Sequence, residues 1–205
     1  MALQALDLPG ATLAYDPDWL APAQADALFT RLRGDVPWES HRIRIYGREV
    51  DPPRLSCWMG DPDAVYRYSG TRFEPRPWPA ALDDVRMRLA EEFGAPFNSV
   101  LANLYRHGRD GMGWHRDAEP ELGQAPVIAS ISLGAVRRFR LRAQDGRTLS
   151  LDLPHGSLLV MSGDTQRHWQ HALAKTARPV GERINLTFRR IVAAGVTRPA
   201  TTPAP

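Results

Sequence analysis

From residue 98 onward the sequence is cut into short β-type runs, each bounded by turn residues: Ser99 to Tyr105, Val127 to Leu133, Arg138 to Leu141, Thr148 to Leu153, Ser157 to Met161 and Ile184 to Arg190. Six strands at this spacing predict a β-sandwich or barrel. Before them the periodicity is helical. Ala25, Leu28, Phe29 and Leu32 recur within Pro22 to Arg33 and stop at Gly34, which predicts a first helix. Leu82, Val85, Leu89 and Phe93 share a face between about Pro79 and Phe93, and Gly94 followed by Pro96 closes this second helix. Residues 35–77, rich in Pro, Gly and Arg, predict hairpins and loops, with Arg42-Ile43-Arg44-Ile45-Tyr46 as one alternating piece. The expected fold class is therefore mainly β with flanking helices (α+β).

A chain of 205 residues suits one domain, expected over 1–196: an N-terminal extension with helices over 1–97 and a β core over 98–192. The tail 197–205 is mostly Pro, Thr and Ala, too poor in apolar bulk to pack, and is expected to be disordered. No apolar run approaches the roughly 20 residues needed to cross a bilayer, so no membrane partner is expected. The first residues lack a basic start followed by an apolar core, and a cytoplasmic monomer is the expectation. Cys57 is the single cysteine, which rules out an internal disulfide and a thiolate cluster. Any metal must be held by His and carboxylate.

Of 26 basic residues, 25 are Arg, and they cluster: Arg42, Arg44 and Arg48 in one segment, Arg137, Arg138, Arg140 and Arg142 in another. The planar guanidinium suits phosphate and carboxylate, so these stripes point to a polyanionic partner.

The chemistry starts at His115-Arg116-Asp117. In an extended segment, residues i and i+2 share a face, so the imidazole and carboxylate can bind one metal while Arg116 points away. A third ligand far along the chain is His171, in the apolar run Trp169-Gln-His-Ala-Leu173, or alternatively His168; the residues alone leave both open. Two His and one carboxylate leave coordination positions for a bidentate cosubstrate and oxygen, the arrangement of non-haem iron(II) oxygenases. In Arg183-Ile-Asn-Leu-Thr-Phe-Arg189, alternation puts Arg183, Asn185, Thr187 and Arg189 on one face. Two guanidinium groups facing a barrel interior each require an anion, and a dicarboxylate supplies both. Asn103 and Tyr105 alternate on the strand before the metal motif and can line the same cavity.

Together Asn103-Leu-Tyr105, His115-Arg-Asp117, Ser130-Ile-Ser-Leu-Gly134, His155-Gly-Ser157, His171 and Arg183-Ile-Asn-Leu-Thr-Phe-Arg189 resemble the AlkB family of nucleic-acid dealkylating dioxygenases, over roughly Tyr66 to Ile191. The resemblance implies a double-stranded β-helix, or jelly roll, preceded by helices and a nucleotide-recognition lid. It implies iron(II) on His115, Asp117 and His171, and so selects His171 over His168. It further implies that Arg189 pairs with the 2-oxoglutarate carboxylate nearest the metal and Arg183 with the distal one, with Asn103, Tyr105 and Asn185 lining the cavity. The implied activity uses O2 and 2-oxoglutarate to hydroxylate an N-alkyl group, as in 1-methyladenine or 3-methylcytosine, so that formaldehyde leaves and the clean base remains. The implied partner is alkylated DNA, single- or double-stranded, with RNA as the alternative. A base inside a duplex must be flipped out to react. Tyr66, Tyr68 and Ser69 resemble the family's lid, Trp58 is a further candidate for contact with the base, and Glu119 matches an acidic position near the base edge. By position, the hairpin at Tyr46 and Arg48 resembles the finger with which duplex-repair members of the family probe DNA. From another class, the alternatives are a cupin-like binding module and a hydrolase with zinc in the same triad; the paired-Arg strand speaks against the hydrolase, which needs no dicarboxylate clamp.

Overall fold

A computed structural model describes residues 3–40, 43–45, 48–68 and 71–192; for 43–45, 48–50, 66–68 and 71–73 it describes the backbone alone. In chain order it begins with β1 (Gln4–Leu8), β2 (Ala11–Asp16), α1 (Pro22–Asp35) and a hairpin of β3 (Ile43–Ile45) with β4 (Arg48–Val50). Next come β5 (Leu55–Gly60), a second hairpin of β6 (Tyr66–Tyr68) with β7 (Thr71–Phe73), and α2 (Asp83–Phe93). The rest is β8 (Ser99–Tyr105), β9 (Met112–His115), β10 (Ile128–Gly134), β11 (Arg137–Ala143), β12 (Thr148–Leu153) and β13 (Ser157–Ser162), then the short α3 (Thr165–His168), β14 (Trp169–Leu173) and β15 (Arg183–Arg189).

Two antiparallel sheets form the body. The larger has the order β1-β2-β13-β10-β15-β8-β5 and the smaller β12-β11-β14-β9. The mainly β, jelly-roll expectation therefore stands, and the six runs read from the sequence are strands to within a residue or two at each end. Three of the seven large-sheet strands come from before residue 98, so the sheet extends past the expected core boundary. β2 pairs with β13 and β5 with β8. β5 gave no period-2 signal because Ser56 to Gly60 are buried on both faces.

The first helix runs on through Gly34, since that residue keeps helical geometry and the Val36 N–H still donates to the Leu32 carbonyl at 3.2 Å. Gly94 does end α2, in a left-handed conformation with φ 58°.

The two faces of the large sheet carry different chemistry. On the face covered by the helices, Ile184, Leu186 and Phe188 of β15 join Ile131, Leu133, Val100 and Leu104 in the main core, with Leu28, Leu32 and Leu89 from α1 and α2. Between the sheets, Leu13, Ile128, Leu159 and Met161 of the large sheet meet Leu141, Leu153 and Trp169 of the small one. This second core closes one end of the sandwich. The other end, where β8, β15, β9 and β14 face one another, is lined by polar side chains.

Candidate active site

The pairing of β14 with β9 sets His171 directly opposite His115, ring centroids 4.2 Å apart. The ligand atoms of His115, Asp117 and His171 all lie within 4.8 Å of one another. His115 Nδ1 is 2.9 Å from the Gly113 carbonyl. A carbonyl only accepts, so the proton sits on Nδ1 and Nε2 is free for a metal. Phe139 stacks on His171 with centroids 5.4 Å apart and fixes the second ring. His168, the competing ligand, is exposed at the end of α3 and packs near Gly10. Arg116 turns away, as expected from alternation, and donates to the Arg167 carbonyl.

Burial and neighbouring charges set the ionisation of the triad. Burial alone pushes the Asp117 carboxyl up, but the Arg189 guanidinium and the two imidazoles more than offset it and hold the group at about 2. Burial, followed by repulsion from His115, drives His171 down to about 3. His115 is lowered for the same first reason. At neutral pH the triad is thus one carboxylate and two neutral imidazoles, the protonation state a divalent metal requires.

One cavity runs from the triad between the sheets, lined by Leu101, Asn103, Tyr105, Asn185 and Thr187 and ending at Arg183. Arg189 is inside it, with Nη2 donating to Asp117 Oδ2 at 2.9 Å. Arg183 is 1% exposed, and its Nη2 donates to the Ser132 hydroxyl at 2.8 Å. Its Nε and Nη1 meet no acceptor among the described residues, although both are sealed from water. Burial lowers this guanidinium to about 10; attraction from the Tyr105 phenol, 5.4 Å from ring centroid to guanidinium carbon, opposes that, and Arg137 adds to it. Unpaired buried donors on a cation cost several kcal/mol unless an anion enters. This orphaned fork and the metal-binding triad at the two ends of one cavity fit a dicarboxylate held at one end by Arg183 and at the other by a metal. Asn185 donates to Ser130 Oγ and to the Ile131 carbonyl, so with Arg183 on Ser132 both serines of the Ser-x-Ser spacing of β10 are used.

Two supporting residues escaped the sequence reading. Arg54, 9% exposed, donates from Nε to Asn103 Oδ1 at 2.8 Å and so turns the Asn103 amide N–H groups away from itself. Gln166, 3% exposed, accepts from the Asp117 backbone N–H at 2.9 Å and holds the metal loop. Neither lies in a motif with a spacing signal; only three-dimensional proximity marks them.

Of the expected substrate contacts, Trp58 is corrected. It is 4% exposed, packs with Ala64, Leu122 and Ile191, and donates its indole N–H to the Ala64 carbonyl, so it is a core residue and not a base contact. Glu119 is half-buried, and its Oε2 is sealed from water with no donor among the described residues. Tyr46 and Ser69 lie outside the described residues, as do the side chains of Arg48, Tyr66 and Tyr68 and the tail 197–205. The backbone has hairpins at both expected places.

The fold and this cavity define a jelly-roll oxygenase built around a 2-His-1-carboxylate centre with a dicarboxylate clamp. Residues 12–189 match the model of the 2OG-Fe(II) oxygenase superfamily, and the chain belongs to that superfamily, in its AlkB family. It is 38% identical over 182 residues to the mouse protein called DNA oxidative demethylase ALKBH2, covering 83% of this chain and 76% of that one. It is also 38% identical over 186 residues to human alpha-ketoglutarate-dependent dioxygenase alkB homolog 3, covering 85% of this chain. The chain spans 64% of the length of that relative. The solved structure of OsALKBH1 superposes with a TM-score of 0.62 at 18% identity, over 92% of this chain and all of that one, and shares the fold.

Proposed function

We propose that the protein oxidatively removes alkyl groups from nitrogen atoms of DNA bases, as a direct-reversal repair enzyme. The observation that carries the reaction type is the orphaned Arg183 fork facing, along one cavity, a buried His115–Asp117–His171 triad. The substrate class is supported by the relatives, among which the mouse protein is called a DNA oxidative demethylase.

When bound, iron(II) and 2-oxoglutarate supply the oxidising chemistry that places a hydroxyl on the alkyl carbon. The chain's own residues do the rest. His115 and His171 hold the metal as neutral ligands, and Asp117 adds the single negative charge. Arg183 takes the distal carboxylate of the cosubstrate and Arg189 the one nearer the metal, each in a charge-assisted pair. Leu101, Phe139 and Leu173 line the same cavity and keep water from the reacting centre. Glu119, whose Oε2 meets no donor among the described residues, is the acidic side chain that the family resemblance sets near the base edge, as an acceptor for an exocyclic amine or a cationic alkylated base. The hydroxylated adduct then loses formaldehyde without further help from the protein.

The test is mass spectrometry of oligonucleotides carrying 1-methyladenine or 3-methylcytosine, incubated with iron(II), 2-oxoglutarate and ascorbate. Single-stranded DNA, duplex DNA and RNA form separate arms. Loss of the methyl group with matching succinate supports the reading; succinate formed without demethylation in any arm refutes it. Faster turnover of RNA than of either DNA arm makes RNA the substrate.

A further inference from the structure

The four-stranded sheet has an outer face that the reaction does not use. Register places Leu141 opposite His171, both pointing between the sheets, so Arg140 and Arg142 with their partners Ala172 and Gln170 point outward. Trp114 on the neighbouring edge strand joins them. The Arg142 guanidinium lies 4.3 Å from the centre of the indole and that of Arg140 5.7 Å. Arg142 is held there by two hydrogen bonds to Gln170 Oε1.

Two grooves meet on this face. One, of about 380 Å³, is lined by Arg54, Trp114, His115, Arg140 and Lys175. The other, of about 600 Å³, is lined by Arg138, Arg140, Lys175 and Arg178. They share Arg140, Ala174 and Lys175 and so adjoin, and His115 lines both the first groove and the metal cavity. The groove therefore borders the reacting centre along the edge strand β9. Its charge is one-sided: the single carboxylate in its lining, Asp152, is already bound by Arg138, whereas Arg140, Lys175 and Arg178 have no ion-pair partner among the described residues. A sheet face that only needed water would mix signs, because like charges on neighbouring strands repel.

We propose that this groove carries the single strand flanking the target base, with its bases stacked on the Trp114–Arg142–Arg140 platform and its phosphates on Arg140, Lys175 and Arg178. The proposal rests on the nucleic-acid reading above. Planar guanidinium groups and an indole are the surfaces on which unpaired bases stack, and free cations beside them suit the backbone. Base pairing would hide the bases from the platform, so the strand in the groove is unpaired.

The experiment is fluorescence anisotropy of a labelled, unmodified single-stranded oligonucleotide of roughly a dozen residues, with wild type, Arg140→Glu, Arg140→Lys, Trp114→Leu and the double variant Arg140→Ala/Arg142→Ala. Arg140→Glu is expected to weaken binding tenfold or more. The double variant flattens the logarithmic dependence of affinity on salt by about 0.7 for each phosphate that is no longer neutralised. Arg140→Lys keeps the slope but binds more weakly than wild type, because the ammonium has no plane to stack. Thermal melting of each variant at the wild-type temperature identifies the effect as local. Dealkylation of a long methylated oligonucleotide is expected to fall further in Arg140→Glu than that of a methylated trinucleotide, which makes fewer contacts along the groove. Unchanged affinity in Arg140→Glu overturns the proposal. So does tighter binding of polyglutamate than of the oligonucleotide, which would make the face a dock for an acidic protein. If wild type dealkylates neither substrate, the proposed function fails, and the anisotropy still decides the groove.

Discussion

Replacing Arg183 with Met separates the charge of the cosubstrate clamp from its bulk. The guanidinium is 1% exposed and held at about 10, well below its ordinary value, with burial as the main cause. At 1.36 kcal/mol per pH unit of pKa, the protein without its cosubstrate disfavours this cation by roughly 3 kcal/mol relative to water. The sign is that of a base depressed by folding: the cost is complete below pH 10 and is relieved as pH rises above that. At neutral pH the ligand-free wild type bears all of it. Met fills similar volume without charge, at the expense of one donor to Ser132 worth about 1 kcal/mol. The ligand-free variant should therefore melt no lower than wild type. With 2-oxoglutarate at a hundredfold over its Kd, wild type gains about 2.7 kcal/mol, or roughly 5–10 °C for a chain of this size. The variant should gain nothing, because a buried carboxylate left without its cation loses about 3–5 kcal/mol. Differential scanning calorimetry with and without 2-oxoglutarate, in the presence of a redox-inert divalent metal, measures both. A variant that melts well below wild type, yet still shifts with 2-oxoglutarate, would show that Arg183 is a structural cation and that the clamp is elsewhere.

The metal assignment predicts that His171→Ala abolishes stoichiometric cobalt(II) uptake, measured by elemental analysis after dialysis, whereas His168→Ala retains it. His171 sits at about 3 when metal-free, below its ordinary 6.5, so the unfolded chain takes up that proton first. Metal-free stability should then fall as pH drops from about 6.5 toward 3, and urea midpoints of His171→Phe should be flatter across that window. Asp117 adds a second loss only below its ordinary 3.8, toward 2. Gln166→Leu removes the acceptor for the Asp117 N–H and should weaken metal binding roughly 10- to 100-fold, read by competition with a chelating dye, without changing the Arg183-dependent shift.

The parts of this site legible in the sequence are those on regular strands with one buried face. β15 alternates Arg183, Asn185, Thr187 and Arg189 against Ile184, Leu186 and Phe188, and the structure sends the two sets to opposite sides of the sheet. The same arithmetic worked for His115 and Asp117. It failed for β5, where burial on both faces erases the period, and for β2, whose pairing with β13 spans more than a hundred residues and leaves no local mark; β1 joins the sheet only through β2. Trp58, a further candidate for contact with the base, has its indole N–H satisfied by the Ala64 carbonyl within the core.

What strand alternation cannot reveal is which polar group holds another in place. Asn103 was expected in the cavity from its position on β8, yet a primary amide can present either its oxygen or its nitrogen. Arg54, outside any motif, removes the ambiguity: its donor takes the Asn103 oxygen and leaves only the N–H groups for the cavity. A lining of donors from Arg183, Arg189 and Asn103, in which the metal-binding Asp117 is the carboxylate present, admits a dianion and rejects a neutral ligand, which would leave the Arg183 donors unpaired. Selectivity for the cosubstrate is thus a property of the surrounding partners as much as of the residues that touch it. Those partners come from the entry to β5, from β10 and from α3, segments remote in sequence that meet the site only because the sheet closes around it.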